Sequence, residues 1–205
     1  MTTTQDRVRE WKARQMVDQY NHHPLLNEKQ VEEYANSLNR HIINVTEAGK
    51  TIGVPQEQLV IHDQSKWSEE EFPYYARKFF GGEAPINAER IPNDFAAAWL
   101  HHMNHNQHHW QYWIFPDGFT PKGSDVEAGV IEMPRRFALE MVADWMGSSK
   151  TYTGSWDMQS WLWENMPHIR VHSRTAEYLR EVLDVLGYAD TIYVQRWAQE
   201  LEKEA

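Results

Sequence analysis

Val60-Ile61-His62-Asp63-Gln64-Ser65-Lys66-Trp67 sets a histidine beside an aspartate and a lysine three residues further on. Neighbouring side chains point to opposite faces of a strand, and on a helix they stand about 100° apart. Where a helix ends and the chain turns, both can converge on one cation. A lysine one turn later can then reach an anion held by that cation. The stretch therefore predicts a helix end followed by a turn.

Helical signals flank it on both sides. Downstream, Ser68-Glu69-Glu70-Glu71 has the form of a capping box. It predicts a helix from Ser68 carrying Phe72, Tyr75, Ala76 and Phe79, stopped by Gly81-Gly82. Upstream, Pro55-Gln56 opens a short helix running toward His62. Asn27 and Gln30 are spaced to cap a longer helix. Its apolar stripe is Val31, Tyr34, Ala35, Leu38, Ile42 and Val45, ending at Gly49 and Gly53. His41 lies on that stripe, as a core histidine or a ligand. A first helix over 5–20 carries Ala13, Met16, Val17 and Tyr20. Asn21-His22-His23-Pro24 breaks it, with the two histidines read as a polar turn.

The densest feature follows a loop over 83–93 that contains Pro85 and Pro92. A helix capped by Asn93 or Asp94 is predicted to run through Trp99, His101, His102, His105, His108, His109 and Trp113. At helical spacing Phe95, Trp99, His102, Asn106, His109 and Trp113 share a stripe, His105 lies beside it, and His101 and His108 fall toward another edge. Neutral imidazoles so spaced suit a divalent metal, and they equally suit a packed, hydrogen-bonded helix surface. The segment from Phe115 to Gly129 reads as a turn and polar loop. Pro134 then opens a helix with Phe137, Glu140, Met141 and Asp144 on one face. Two carboxylates on an apolar stripe need partners, which Arg135, Arg136 or a metal could supply. A loop over 151–155, a Trp-rich helical piece over 156–165 and a break at Pro167-His168 come next. A helix from Ser173 or Thr175 carries Leu179, Val182, Leu183 and Leu186 to Gly187, and a last one carries Val194, Trp197, Ala198 and Leu201. The chain reads as all-α.

Composition narrows the function classes. The 205 residues are 41% hydrophobic and include ten tryptophans, which supports one globular domain rather than a disordered chain. With no cysteine there is neither a disulfide nor a thiolate metal site. No apolar run approaches the roughly 20 residues of a membrane span, and the N-terminus lacks a signal-peptide core. Cytoplasmic residence is the expectation. A formal net charge of -10 argues against a nucleic-acid groove, while a metal and a lysine could still dominate the field around a small phosphorylated substrate.

His41, then His62-Asp63, then Asp144, each on a different predicted helix, resembles the HD-domain superfamily of metal-dependent phosphohydrolases. The apolar lead-in and Ser65-Lys66 resemble the same signature, and the likeness covers roughly residues 30–150. It is also similar to a group of short, uncharacterised HD-like proteins of bacteria and phages. The resemblance implies a single-domain HD-like helical bundle over 1–205. Its metal-binding core would span about 27–150 and its packing helices about 156–204. It implies His41, His62, Asp63 and Asp144 as ligands of a divalent ion (Mn, Fe, Co, Ni or Zn), with His102, His105 and His109 available for a second ion or for phosphate. Lys66 would neutralise phosphate charge, Glu140 would accept a proton or orient a ligand, and Trp67 would stack on the substrate. The implied activity is hydrolysis of a small phosphorylated compound, a nucleotide first, by metal-activated water. Two alternatives stay open: an HD-type diiron oxygenase, and a non-enzymatic, metal-stabilised binding protein.

Overall fold

The computed structural model describes residues 3–17, 26–81, 94–115 and 119–188. The turn expected at 21–24, the loop at 83–93 and the last helix through Val194 and Leu201 lie outside the described residues. The fold is all-α, with eight helices and one two-stranded ribbon among the described residues. They are α1 Thr4–Val17, α2 Glu28–Ile52, α3 Gln56–Ile61, α4 Phe72–Phe80, α5 Asp94–His105, α6 Arg135–Thr153, α7 Gln159–Asn165 and α8 Ser173–Val185. No helix among these residues is long and apolar enough to cross a membrane.

The chain forms two compact units. The first comprises the described residues of 1–42 and 62–105. Its core joins Val31, Tyr34, Ala35 and Leu38 of α2 to Phe72, Tyr75 and Ala76 of α4 and Ala98 of α5. α2 starts where its capping box predicts: Gln30 N–H donates to Asn27 Oδ1 and Asn27 N–H to Gln30 Oε1, both at 2.9 Å. The second unit comprises the described residues of 43–61 and 106–205. Met133, Ala138, Met141, Val142, Leu162, Met166, Leu179 and Leu183 form its main core. Gly147 lets α6 approach α2 within this unit: a Cβ there would sit 2.6 Å from the Val45 backbone nitrogen.

Several local expectations are corrected. α4 begins at Phe72, not Ser68, with Pro73 in its first turn. Ser68 to Glu71 form a turn in which the Ser68 carbonyl accepts from Phe72 N–H at 2.9 Å. Gly49 lies inside α2, pressed on Leu59, and the helix stops at Gly53 in the left-handed conformation, φ 89°. α6 runs through Thr153 to a left-handed Gly154, where a loop is expected from Thr151.

α5 ends at His105, so the histidine-rich run is not one helix. Its last carbonyls are taken by side chains: Asn104 Nδ2 donates to Leu100 O at 2.8 Å and His105 Nδ1 to His101 O at 2.7 Å. His109 and Trp113 belong to a turn and a 3₁₀ segment, Trp110–Trp113, and do not continue the His102 stripe. The segment expected to be plain loop before Gly129 contains half of a hairpin, β1 Val126–Glu127 paired with β2 Val130–Ile131. Ala128 and Gly129 both take positive φ, 48° and 82°, as a two-residue hairpin turn requires.

Candidate metal centre

α3 ends at Ile61, and the first unit resumes as the chain turns through His62 and Asp63 into a 3₁₀ segment, Gln64–Trp67. Asp63 takes the left-handed conformation, φ 56° and ψ 19°, which costs little for Asp or Asn and more for other L-residues. The turn closes through Lys66 N–H donating to Asp63 O at 3.0 Å. It carries the Asp63 carboxylate to full burial.

Three imidazoles gather on that carboxylate, all buried. His41 Nε2, from α2, lies 3.0 Å from Asp63 Oδ2, and His62 Nε2 lies 3.7 Å from the same oxygen. His102 Nε2, from α5, lies 3.3 Å from Oδ1. The Lys66 ammonium donates to Oδ2 at 2.5 Å and stands over the Tyr75 ring. Burial by itself pushes the Asp63 carboxyl up, but Lys66 first, then His62 and His102, outweigh it and hold the group well below the usual carboxylate range.

Behind His102 stands Glu71, also fully buried. His102 Nδ1 donates to Glu71 Oε2 and His101 Nδ1 to Oε1, each at 2.8 Å. Burial raises the Glu71 carboxyl, while bonding to His102, the His102 charge, and bonding to His101 and Ser65 bring it below its ordinary value. Trp67 stacks on Phe72 and lies under the Arg7 guanidinium, whose NH1 donates to Gln64 Oε1 at 3.0 Å. His105 is exposed and stacks on His101.

The remaining sequence candidates lie in the second unit. Asp144, on α6, is half-buried and accepts from Ser148 Oγ at 3.4 Å. Glu140, one turn earlier, is buried. It accepts from Gln58 Nε2 at 2.7 Å and lies 3.3 Å from His108 Nδ1. His109 is half-buried, its ring 4.5 Å from that of His108.

The structure thus brings His41, His62, Asp63, Lys66 and His102 together. From the sequence alone, Glu71 reads only as a helix-start residue. Its signal was present in outline, as one glutamate of three set close after the His-Asp pair. The sequence gives no sign that this glutamate, and not Glu69 or Glu70, turns inward.

Among the described residues, buried His, Asp and Glu side chains form groups whose ligand atoms lie within 4.8 Å of one another, the donor types and spacing a metal ion takes. His41 with His62, and Asp63 with His102, are such pairs within the first unit. A donor set of imidazoles with one carboxylate fits a divalent transition ion.

Residues 30–185 match the family described as Family of unknown function (DUF5662), and the chain belongs to that family. No curated protein and no solved structure matches it.

Proposed function

We propose that this protein is a metal-dependent phosphohydrolase with an HD-type centre, acting in the cytoplasm on a small phosphorylated substrate, a nucleotide first. The convergence of His41, His62 and His102 on the buried Asp63 carboxylate carries this reading. These four residues would hold the ion. A divalent transition ion held there supplies Lewis acidity and lowers the pKa of a bound water.

The chain's own groups supply the rest. Lys66 is tethered to Asp63 but retains 15% exposure, so its ammonium can turn toward a phosphate without leaving the site. Its charge offsets the negative charge that grows on the phosphoryl oxygens as a bond to phosphorus breaks. The aromatic ring of Tyr75 beneath it adds a weaker restraint on the same ammonium. Trp67, fixed between Phe72 and Arg7, offers an edge to a base rather than a mobile stacking face.

The test is metal content by mass spectrometry on untagged protein beside Asp63→Asn, followed by a nucleotide hydrolysis panel. One or two equivalents of Mn, Co, Ni or Zn in the wild type, lost in folded Asp63→Asn, together with turnover that needs Lys66, support the reading. Iron with an optical band and no phosphate release would replace it with an oxygenase. Wild-type protein that is metal-free and cannot be loaded would refute it and leave a binding protein. The resemblance also implies roles for Asp144 and Glu140. Asp144→Ala is read by ion content, and Glu140→Gln by turnover at unchanged ion content.

A further inference from the structure

We infer that Glu71 is the positioning residue of this centre: its carboxylate fixes the His102 ring so that Nδ1 carries a proton and Nε2 is presented as a ligand beside Asp63. The inference rests on the metal reading above and adds to it a residue outside the HD stretch.

An imidazole can bind a metal through either nitrogen, and the bond made by the other nitrogen decides which. In the first unit the choice is built in. Glu71 Oε2 accepts a hydrogen bond from His102 Nδ1–H at 2.8 Å, which turns Nε2 toward Asp63 Oδ1, 3.3 Å away. Ser65 Oγ, 3.2 Å from the same Nδ1, adds a second partner on that side. The carboxylate cannot swing away, because His101 holds its other oxygen at 2.8 Å. His101 and His102 are consecutive residues of α5, so their side chains leave the helix about 100° apart. One carboxylate spans them by using both oxygens. Glu71 sits at the N-cap position of α4 with its side chain turned inward rather than back onto the helix's first N–H groups. The cap is forgone, and the carboxylate is buried completely. A buried anion placed against two imidazoles, one of them facing a second buried carboxylate, is the arrangement that raises ligand basicity and fixes ring orientation at metal centres.

The experiment compares wild type, Glu71→Gln and Glu71→Leu. Glutamine keeps the shape, yet its amide can accept from only one of the two rings, and leucine removes both acceptors. Co²⁺ affinity is measured by competition titration. The state of the His102 ring is read separately by ¹⁵N-edited imidazole NMR on metal-free and Zn²⁺-loaded protein, with His102→Gln assigning the signal. The wild type is expected to keep a protected His102 Nδ1–H in both states. Glu71→Leu should lose that proton signal and bind Co²⁺ roughly tenfold to hundredfold more weakly, with Glu71→Gln in between. If Glu71→Leu does not fold, the Glu71→Gln shift alone decides. A wild type whose His102 carries no Nδ1–H, or a Glu71→Gln protein with wild-type spectrum and Co²⁺ affinity, would overturn the inference. Failure of the wild type to take up any ion would instead sink the metal reading, while the metal-free spectrum still tests Glu71.

Discussion

Replacing Asp63 with asparagine removes one negative charge while keeping the side-chain volume and a residue type that tolerates φ 56°. In the metal-free protein that charge is the partner of the Lys66 ammonium, 2.5 Å away, and of the His41 ring at 3.0 Å. Breaking one side of a buried ion pair costs about 3–5 kcal/mol, because the other charge is left without compensation. Lys66 retains 15% exposure and can recover part of its hydration, so a loss near the lower end, about 3 kcal/mol, is expected. The assay is urea unfolding in the presence of a chelator for wild type, Asp63→Asn, Lys66→Met and the double variant. Removing both charges leaves neither ion stranded. The double variant should therefore be less destabilised than the sum of the single changes by at least about 1 kcal/mol. Additivity within about 0.5 kcal/mol would refute the argument, since it would mean that the two groups do not depend on each other in the folded protein. Asp63→Ala is the poorer probe: it adds about 1 kcal/mol or more of left-handed backbone strain that has nothing to do with charge.

Asp63 and Glu71 both have carboxyl pKa values depressed by folding. Their stabilising contribution is therefore complete above the unfolded carboxylate range, near about pH 4, and is lost as pH falls below it toward the folded values. Chelator-treated wild type should lose stability on acidification below about pH 5, and Asp63→Asn should show a shallower acid limb; equal slopes would remove Asp63 as a cause. Gly147→Ala improves helix propensity by about 1 kcal/mol, yet its methyl would meet Val45 backbone atoms at 2.6 and 2.8 Å. Net destabilisation of about 1–3 kcal/mol is expected in thermal or urea unfolding, and a stabilised variant would contradict the close approach of α6 to α2. Asn27→Ala should cost about 1 kcal/mol through loss of the reciprocal cap with Gln30, and Asn27→Ser should restore most of it in the same assay.

The sequence by itself determined the all-α class, the α2 cap, the inward stripe of α2 with His41 on it, and the helix end that delivers His62 and Asp63. Each of these depends on residues within one or two turns of each other, where periodicity and capping chemistry are local and strong. The same local logic overreached at Ser68–Glu71 and along the histidine run. A capping box competes there with two imidazoles, the buried His102 and the half-buried His101, and α5 yields its last carbonyls to Asn104 and His105. The ribbon at 126–131 escaped because two-residue strands carry no period to detect. Only the tertiary structure decided which of the histidines meet Asp63. The bond from His41 spans 22 residues and that from Glu71 to His102 spans 31, and each forms because helices packed on the Tyr34, Phe72 and Tyr75 core bring them together. The positions along the chain hold the ligand chemistry, but burial of apolar surface selects which polar groups are carried inward together. Once inside, those groups must satisfy one another, and that requirement turns Glu71 from a helix-start signal into a partner of His102.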